Sequence, residues 1–105
     1  MTRDIRRQVE EKCRSLDIPL VGFAPAGRWE DPRSGLQVPE PYRPRSIFPE
    51  ANTAIVIGLP ISLPVLETAP SIWYLELYRT VNTLLDEAGY RIASVLTSDG
   101  FPSVW

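Results

Sequence analysis

Apolar positions along the chain fall into segments with different periods. From about Asp4 to Leu16, Ile5, Val9, Lys12/Cys13 and Leu16 recur at helical spacing while charges fill the gaps, which predicts a short amphipathic helix. Thr2 or Asp4 suits its N-cap, and Pro19 follows its end. Leu20-Val21-Gly22-Phe23-Ala24 is short, apolar and bounded by Pro19 and Pro25, the pattern of a buried strand. Thr53 to Leu59 is apolar at almost every position, so it reads as a strand covered on both faces, as in a parallel sheet. Tyr74, Leu77, Tyr78, Val81, Leu84, Leu85, Ala88, Ile92, Val95 and Leu96 step by three and four. They predict a long amphipathic helix from about Ser71 to Ser98.

The segments between these elements are rich in proline. Residues 25–52 contain Pro25, Pro32, Pro39, Pro41, Pro44 and Pro49, interspersed with Trp29, Leu36, Val38, Tyr42, Ile47 and Phe48. Long loops without periodicity are uncommon in compact domains, and these apolar groups predict a loop pinned to a surface and ordered. A second loop runs from Pro60 to Pro70, where Pro70 suits the first turn of the long helix. Gly100 is placed to end that helix. Gly89 weakens it by about 1 kcal/mol relative to Ala unless a close packing partner needs the space. Phe101-Pro102-Ser103-Val104-Trp105 reads as the start of another strand. The expected fold is therefore α/β: a small sheet with a short N-terminal helix, a long proline-rich loop and a long amphipathic crossover helix. If Val104 pairs in parallel, the connection through that helix is right-handed. A βαβ crossover normally belongs to a larger sheet, so the domain, taken as one unit over 1–105, reads as incomplete.

Composition narrows the chemistry. At 105 residues the chain has room for one domain at most, and 44% hydrophobic residues allow it a core. Its net charge of −2 argues against a nucleic-acid module, though local charge can still meet an anion. With no His and the single Cys13, the chain has no means of building a Cys/His zinc site or holding an iron–sulfur cluster by itself. No apolar run reaches membrane-spanning length, and the charged N-terminus lacks the apolar stretch of a signal peptide, so the expected compartment is the cytoplasm.

The remaining candidates for function are few. Arg43 and Arg45 flank Pro44 before the apolar strand, where two guanidinium groups on a stiff loop suit a phosphate or carboxylate; surface charge is the plainer reading. Gly58 ends the Thr53–Leu59 strand, with Ser62 just beyond, and open α/β sheets bind ligands past the carboxyl ends of their strands. A glycine needed only for packing explains Gly58 equally well. Tyr74 and Tyr78 stand one turn apart near the start of the long helix, as the wall of a cofactor pocket or simply as core. Cys13 lies on the apolar side of the first helix, which suits a buried, inert thiol. Asp86 and Glu87 are adjacent on a helix and diverge by about 100°, a poor acid–base pair.

Three stretches together resemble a known family. Leu20-Val21-Gly22-Phe23-Ala24-Pro25, then Tyr42-Arg43-Pro44-Arg45-Ser46-Ile47-Phe48-Pro49, then Ala54-Ile55-Val56-Ile57-Gly58-Leu59-Pro60-Ile61 resemble the N-terminal region of epoxyqueuosine reductases and their relatives. The run Leu63–Ile72 followed by Tyr78–Asp86 is similar to relatives described as iron–sulfur proteins. The resemblance extends from about Leu20 onward, and its most specific part is the Arg-Pro-x-x-Ile-x-Pro stretch paired with the apolar strand. It implies an oxidoreductase family whose full-length members bind cobalamin between this kind of domain and later segments. Two [4Fe–4S] clusters in a C-terminal domain reduce the cobalt, which reduces an epoxide in a tRNA-linked nucleoside. The chain then corresponds to roughly the first third, without the CxxCxxC run and with the family's acidic proton donor falling past Trp105.

The leading expectation is thus an N-terminal corrinoid-binding-type domain of an epoxyqueuosine reductase-like redox protein, inactive by itself. Arg43, Arg45, Gly58, Ser62, Tyr74 and Tyr78 are its candidate cofactor-binding residues. The partners expected are a C-terminal iron–sulfur domain or further copies of the chain, with tRNA implied by the resemblance alone and no membrane. The alternative is a cofactor-free, self-associating structural domain, because apolar surface left by missing sheet neighbours needs cover.

Overall fold

The computed structural model describes residues 3–105. Helix α1 spans Arg3–Ser15 and strand β1 spans Leu20–Pro25. Three 3-10 turns follow, at Ala26–Glu30, Pro32–Ser34 and Glu40–Tyr42, before the one-turn helix α2 at Pro44–Ile47. Strand β2 is Thr53–Gly58, the one-turn helix α3 is Leu63–Leu66, and the long helix α4 is Ile72–Ser98. The architecture is a small α/β fold. The N-cap expected at Thr2 lies outside the described residues.

Both long helices end in the same way, for a reason visible in the backbone. At the end of α1, Asp17 adopts φ 58°, and Ile18 N–H donates to Cys13 O at 2.8 Å while Asp17 N–H donates to Arg14 O at 3.1 Å. This is a Schellman closure, which satisfies two orphan carbonyls and folds Ile18 back onto the helix. At the end of α4, Gly100 takes φ 94°, and Phe101 N–H reaches Leu96 O at 2.9 Å. Glycine meets the left-handed requirement freely; aspartate meets it at a cost. Helix α4 starts at Ser71, whose Oγ accepts from Tyr74 N–H at 3.1 Å. Pro70 stands before this cap, not in the first turn as its sequence context suggests, and the Ala69–Pro70 bond is cis.

The two strands pair antiparallel, in the register Leu20↔Gly58, Val21↔Ile57, Gly22↔Val56, Phe23↔Ile55 and Ala24↔Ala54. Ala26 N–H donates to Asn52 O at 2.9 Å and carries the pairing into the loop. Two expectations are corrected here. The apolar run of β2 predicts a parallel, doubly covered strand, whereas β2 runs against β1. Residues 101–105 form no strand, so among the described residues α4 does not cross over to a third strand. Instead the segment folds back on α4: Ser103 N–H donates to Thr97 Oγ1 at 3.2 Å, and Trp105 meets Tyr90 edge to face at 5.2 Å.

One face of the sheet carries the core. Val9 and Cys13 of α1, Ile18, and Ala88, Ile92 and Leu96 of α4 form its buried centre. Val21, Phe23, Ile55 and Ile57, which share one face by the two-residue period of strands, pack against it. The guanidinium of Arg6 stands 4.8 Å from the ring centre of Phe23, and Gln8 donates to Asp99 between α1 and α4. The other sheet face consists of Leu20, Gly22 and Ala24 of β1 and Ala54, Val56 and Gly58 of β2. Leu20 and Val56 are 59% and 57% exposed there.

Length decides how much of α4 this base covers. Twenty-seven helical residues extend about 40 Å, while α1 and a six-residue strand each span about 20 Å. All four fully buried residues of α4 lie between Ala88 and Leu96. The apolar stripe is continuous from Tyr74 to Leu96, but in its N-terminal half Leu77, Val81 and Leu85 are only half-buried and Tyr74, Tyr78 and Leu84 are exposed. Expecting the whole stripe to be core is therefore corrected for that half. Ile72, Trp73 and Tyr78 are 73%, 67% and 61% exposed.

Candidate functional site

The long loop is ordered by arginines. Arg45 Nε donates to Ala51 O at 3.0 Å and its Nη1 to Glu30 Oε2 at 3.1 Å, which ties α2 to the first 3-10 turn. Gly27 leaves room for this arm, since a Cβ there would meet Arg45 Nη1 at 3.4 Å. Arg43 Nε donates to Val38 O at 3.0 Å and pins the preceding turn. Both side chains are half-buried. Each spends its Nε on a carbonyl of the chain, so neither presents the full five-donor fork to a ligand.

Gly58 has a packing role. A Cβ on it would stand 3.3 Å from Leu20 Cβ and 3.4 Å from Leu20 Cδ1, its neighbour across the ladder. The glycine therefore seats Leu20 on the outer sheet face. From Gly58 the chain passes through Leu59–Ile61 to Ser62, the exposed residue before α3, whose carbonyl accepts from Leu66 N–H at 2.9 Å. The Ser62 hydroxyl makes no capping bond to α3. Helix α3 packs against α4. Tyr74 and Tyr78 are 37% and 61% exposed on the N-terminal half of α4, and Tyr78 O accepts from Asn82 Nδ2 at 2.7 Å.

The six candidates thus separate into two groups. Arg43 and Arg45 belong to the loop and hold it together; Gly58, Ser62, Tyr74 and Tyr78 follow the path from the end of β2 to α4. Neither of two shallow surface clefts includes any of them. One, of about 530 Å³, is lined by Pro25, Gly27, Arg28, Asp31, Arg33 and Ser34. The other, of about 310 Å³, is lined by Ala93, Ser94, Thr97, Ser98, Ser103 and Trp105. In the first, Arg33 grips Asp31 through Nε and Nη2 at 3.1 and 3.2 Å, and these bonds hold the Asp31 carboxyl below the usual carboxylate range. Burial, with Glu10 nearby, pushes the Cys13 thiol above its ordinary range, the opposite of what a nucleophile needs.

A corrinoid is a large flat ring edged with amides. Neither of these two clefts encloses one, and Ser62, Tyr74 and Tyr78 are each exposed. Among the described residues no group of three or more His, Cys, Asp or Glu side chains is placed to hold a metal ion, and no helix is long and apolar enough to cross a membrane. The exposed apolar half of α4 is the feature that sequence reasoning missed; the comparison of helix length with strand length carried the signal. Comparison with protein-family models, with curated proteins and with solved structures found no match to this chain.

Proposed function

We propose that this chain is the N-terminal, corrinoid-binding-type α/β unit of an epoxyqueuosine reductase-like redox protein. It is not catalytic by itself and acts in the cytoplasm. The observation that supports this reading is the exposed aromatic surface at the start of α4, which follows β2 in the chain by way of Ser62 and α3. Exposed aromatic faces of this kind mark surfaces that something covers. Tyr74 and Tyr78 supply a flat apolar wall, and Ser62 a hydroxyl for an amide edge. When bound, a corrinoid supplies the low-valent cobalt chemistry of the family the sequence resembles. The chain's own part is to seat one face of the ring and to exclude water from it. An iron–sulfur domain supplies the electrons, and tRNA carries the substrate.

Titration of hydroxocobalamin, followed by its visible absorption bands and by tryptophan emission, tests this. The reading expects saturable binding that Tyr78→Ser weakens about tenfold, since a stacked aromatic contact is worth on the order of 1 kcal/mol beyond its area. Absence of saturable binding, or equal binding by Tyr78→Ser, contradicts it.

A second reading has its own observation in favour. The outer sheet face of Leu20, Gly22, Ala24, Ala54, Val56 and Gly58 has no polar side chain, and Leu20, Gly22 and Val56 are exposed on it. A cofactor-free, self-associating domain accounts for that face as well as for the exposed half of α4.

A further inference from the structure

We propose that residues 101–105 are a strap that docks on the flank of α4 and releases from it as one unit, so that this segment sets access to a part of the helix the core does not cover. Gly89, Ala93 and Thr97 follow one another at four-residue intervals on α4. At about 100° per residue they lie within about 80° of one another around the axis, on one flank of the helix. Ala93 is 6% exposed, although it stands outside the core cluster that contains Cys13 and Ile92. It lines the cleft of about 310 Å³ together with Ser103 and Trp105, so helix and strap form the two sides of that cleft.

The strap is anchored at its start, its middle and its end. Gly100 takes φ 94°, which turns the chain back along α4, and Phe101 N–H donates to Leu96 O at 2.9 Å. Ser103 N–H donates to Thr97 Oγ1 at 3.2 Å, and Ser103 Oγ donates to Phe101 O at 2.8 Å. Trp105 rests over Gly89 and meets the Tyr90 ring at 5.2 Å. Gly89 is the notch that admits the indole, since a Cβ there would stand 3.2 Å from Trp105 Cβ.

Two properties make the strap a reversible unit. Only Val104 separates Ser103 from Trp105, so a docked indole holds the Ser103 amide within reach of Thr97, and the hydrogen bond in turn holds the indole near Gly89. Contacts linked this closely raise each other's effective concentration and form and break together. The strap also buries little of itself: Phe101, Val104 and Trp105 are 45%, 55% and 68% exposed. Segments with few buried apolar contacts open locally at much lower free energy than the core unfolds. Opening bares Gly89, Ala93 and Thr97, where small side chains leave the helix backbone close to the surface.

Residue-resolved NMR of the whole chain tests the linkage from both ends. In the wild type the Ser103 amide should exchange roughly tenfold more slowly than in an unstructured peptide, and the core amides of Ala88 and Ile92 far more slowly still. Gly89→Val fills the notch. It should raise Ser103 exchange to about the unstructured rate while Ala88 and Ile92 stay protected, and valine is a better helix former than glycine, so far-UV circular dichroism should be preserved. Thr97→Val removes the acceptor at nearly constant shape. It should move the Tyr90 ring-proton shifts toward their values in a strap-free chain ending at Gly100, and it carries the test alone if Gly89→Val loses helix signal. An unprotected Ser103 amide in the wild type overturns the docked strap. Ser103 protection unchanged by Gly89→Val in a folded variant, or Tyr90 shifts unchanged by Thr97→Val, overturns its opening as a unit.

Discussion

Trp105 lies directly across Gly89: a Cβ on the glycine would stand 3.2 Å from Trp105 Cβ and 3.5 Å from its Cγ and Cδ1. The missing side chain lets the indole settle on the helix and meet the Tyr90 ring in a T-shaped pair, at an interplanar angle of 79°. A glycine that costs a helix about 1 kcal/mol is thereby matched to a close packing partner.

Gly89→Ala therefore combines opposing effects. Helix propensity favours it by about 1 kcal/mol, while the new methyl displaces Trp105. Trp105 is 68% exposed and able to shift, so the net change is expected to be a stabilisation smaller than that figure. In a Trp105→Gly background, which removes the Cβ at 3.2 Å as well as the indole, the full gain should appear. Urea unfolding of the four proteins of this double-mutant cycle measures the difference, and identical gains in both backgrounds would count against the contact.

Asp17 holds φ 58° at the Schellman closure of α1. Asp17→Gly removes the left-handed strain at some cost in unfolded-state entropy, for a net stabilisation of a few tenths to about 1 kcal/mol. Asp17→Val should destabilise the protein. Thermal unfolding reads both, and a fall in Tm for the glycine variant would show that the aspartate side chain contributes more than the backbone strain costs.

The uneven cover of α4 predicts uneven sensitivity along it. Ile92 is 5% exposed in the core cluster, and Ile92→Ala should cost about 2–5 kcal/mol; Ile92→Asp should unfold the chain. Leu84 is 48% exposed, so Leu84→Ala should cost less than about 1 kcal/mol in the monomer. Leu85, half-buried, should fall between them. Chemical denaturation ranks the three, and equal costs would mean that the N-terminal half is packed after all.

The thiol of Cys13 is 1% exposed and raised above its ordinary range, first by burial and then by Glu10. The folded state therefore disfavours the thiolate. Its contribution to stability is whole below the ordinary thiol range and is lost as the pH rises through the elevated folded value. Urea unfolding should show stability declining in alkali more steeply for wild type than for Cys13→Ala. A disulfide exchange reagent should label native Cys13 only as fast as the protein opens, and rapid labelling at neutral pH would contradict its burial.

The helices were legible because their period is local. Val9 and Cys13 on α1, and Ala88, Ile92 and Leu96 on α4, are buried where spacing placed them. Strand positions were legible too, since proline brackets β1 and the apolar run marks β2. Strand direction was not. An apolar residue on the outer face, such as Val56, looks the same whether a helix covers it or the sheet stops there. The proline-rich loop has no period, so the anchoring of Arg45 on Ala51 and Glu30 follows from tertiary placement that spacing does not encode. The same limit applies to the candidate site. Gly58 fits a ligand approach and a cross-strand neighbour equally well in sequence, and only the structure shows that a Cβ on it would stand 3.3 Å from Leu20 Cβ.

Helix α4 is packed over its C-terminal half and more exposed over its N-terminal half. Amide hydrogen exchange read by mass spectrometry, with the protein dilute enough to be monomeric, measures this most directly. Amides between Ala88 and Leu96 should exchange slowly, at the rate of global unfolding, while those between Ile72 and Leu84 exchange faster through local opening. Adding hydroxocobalamin, or raising the protein concentration, should slow the second group and leave the first unchanged. Uniformly slow exchange along all of α4 in the dilute, ligand-free protein would contradict the account.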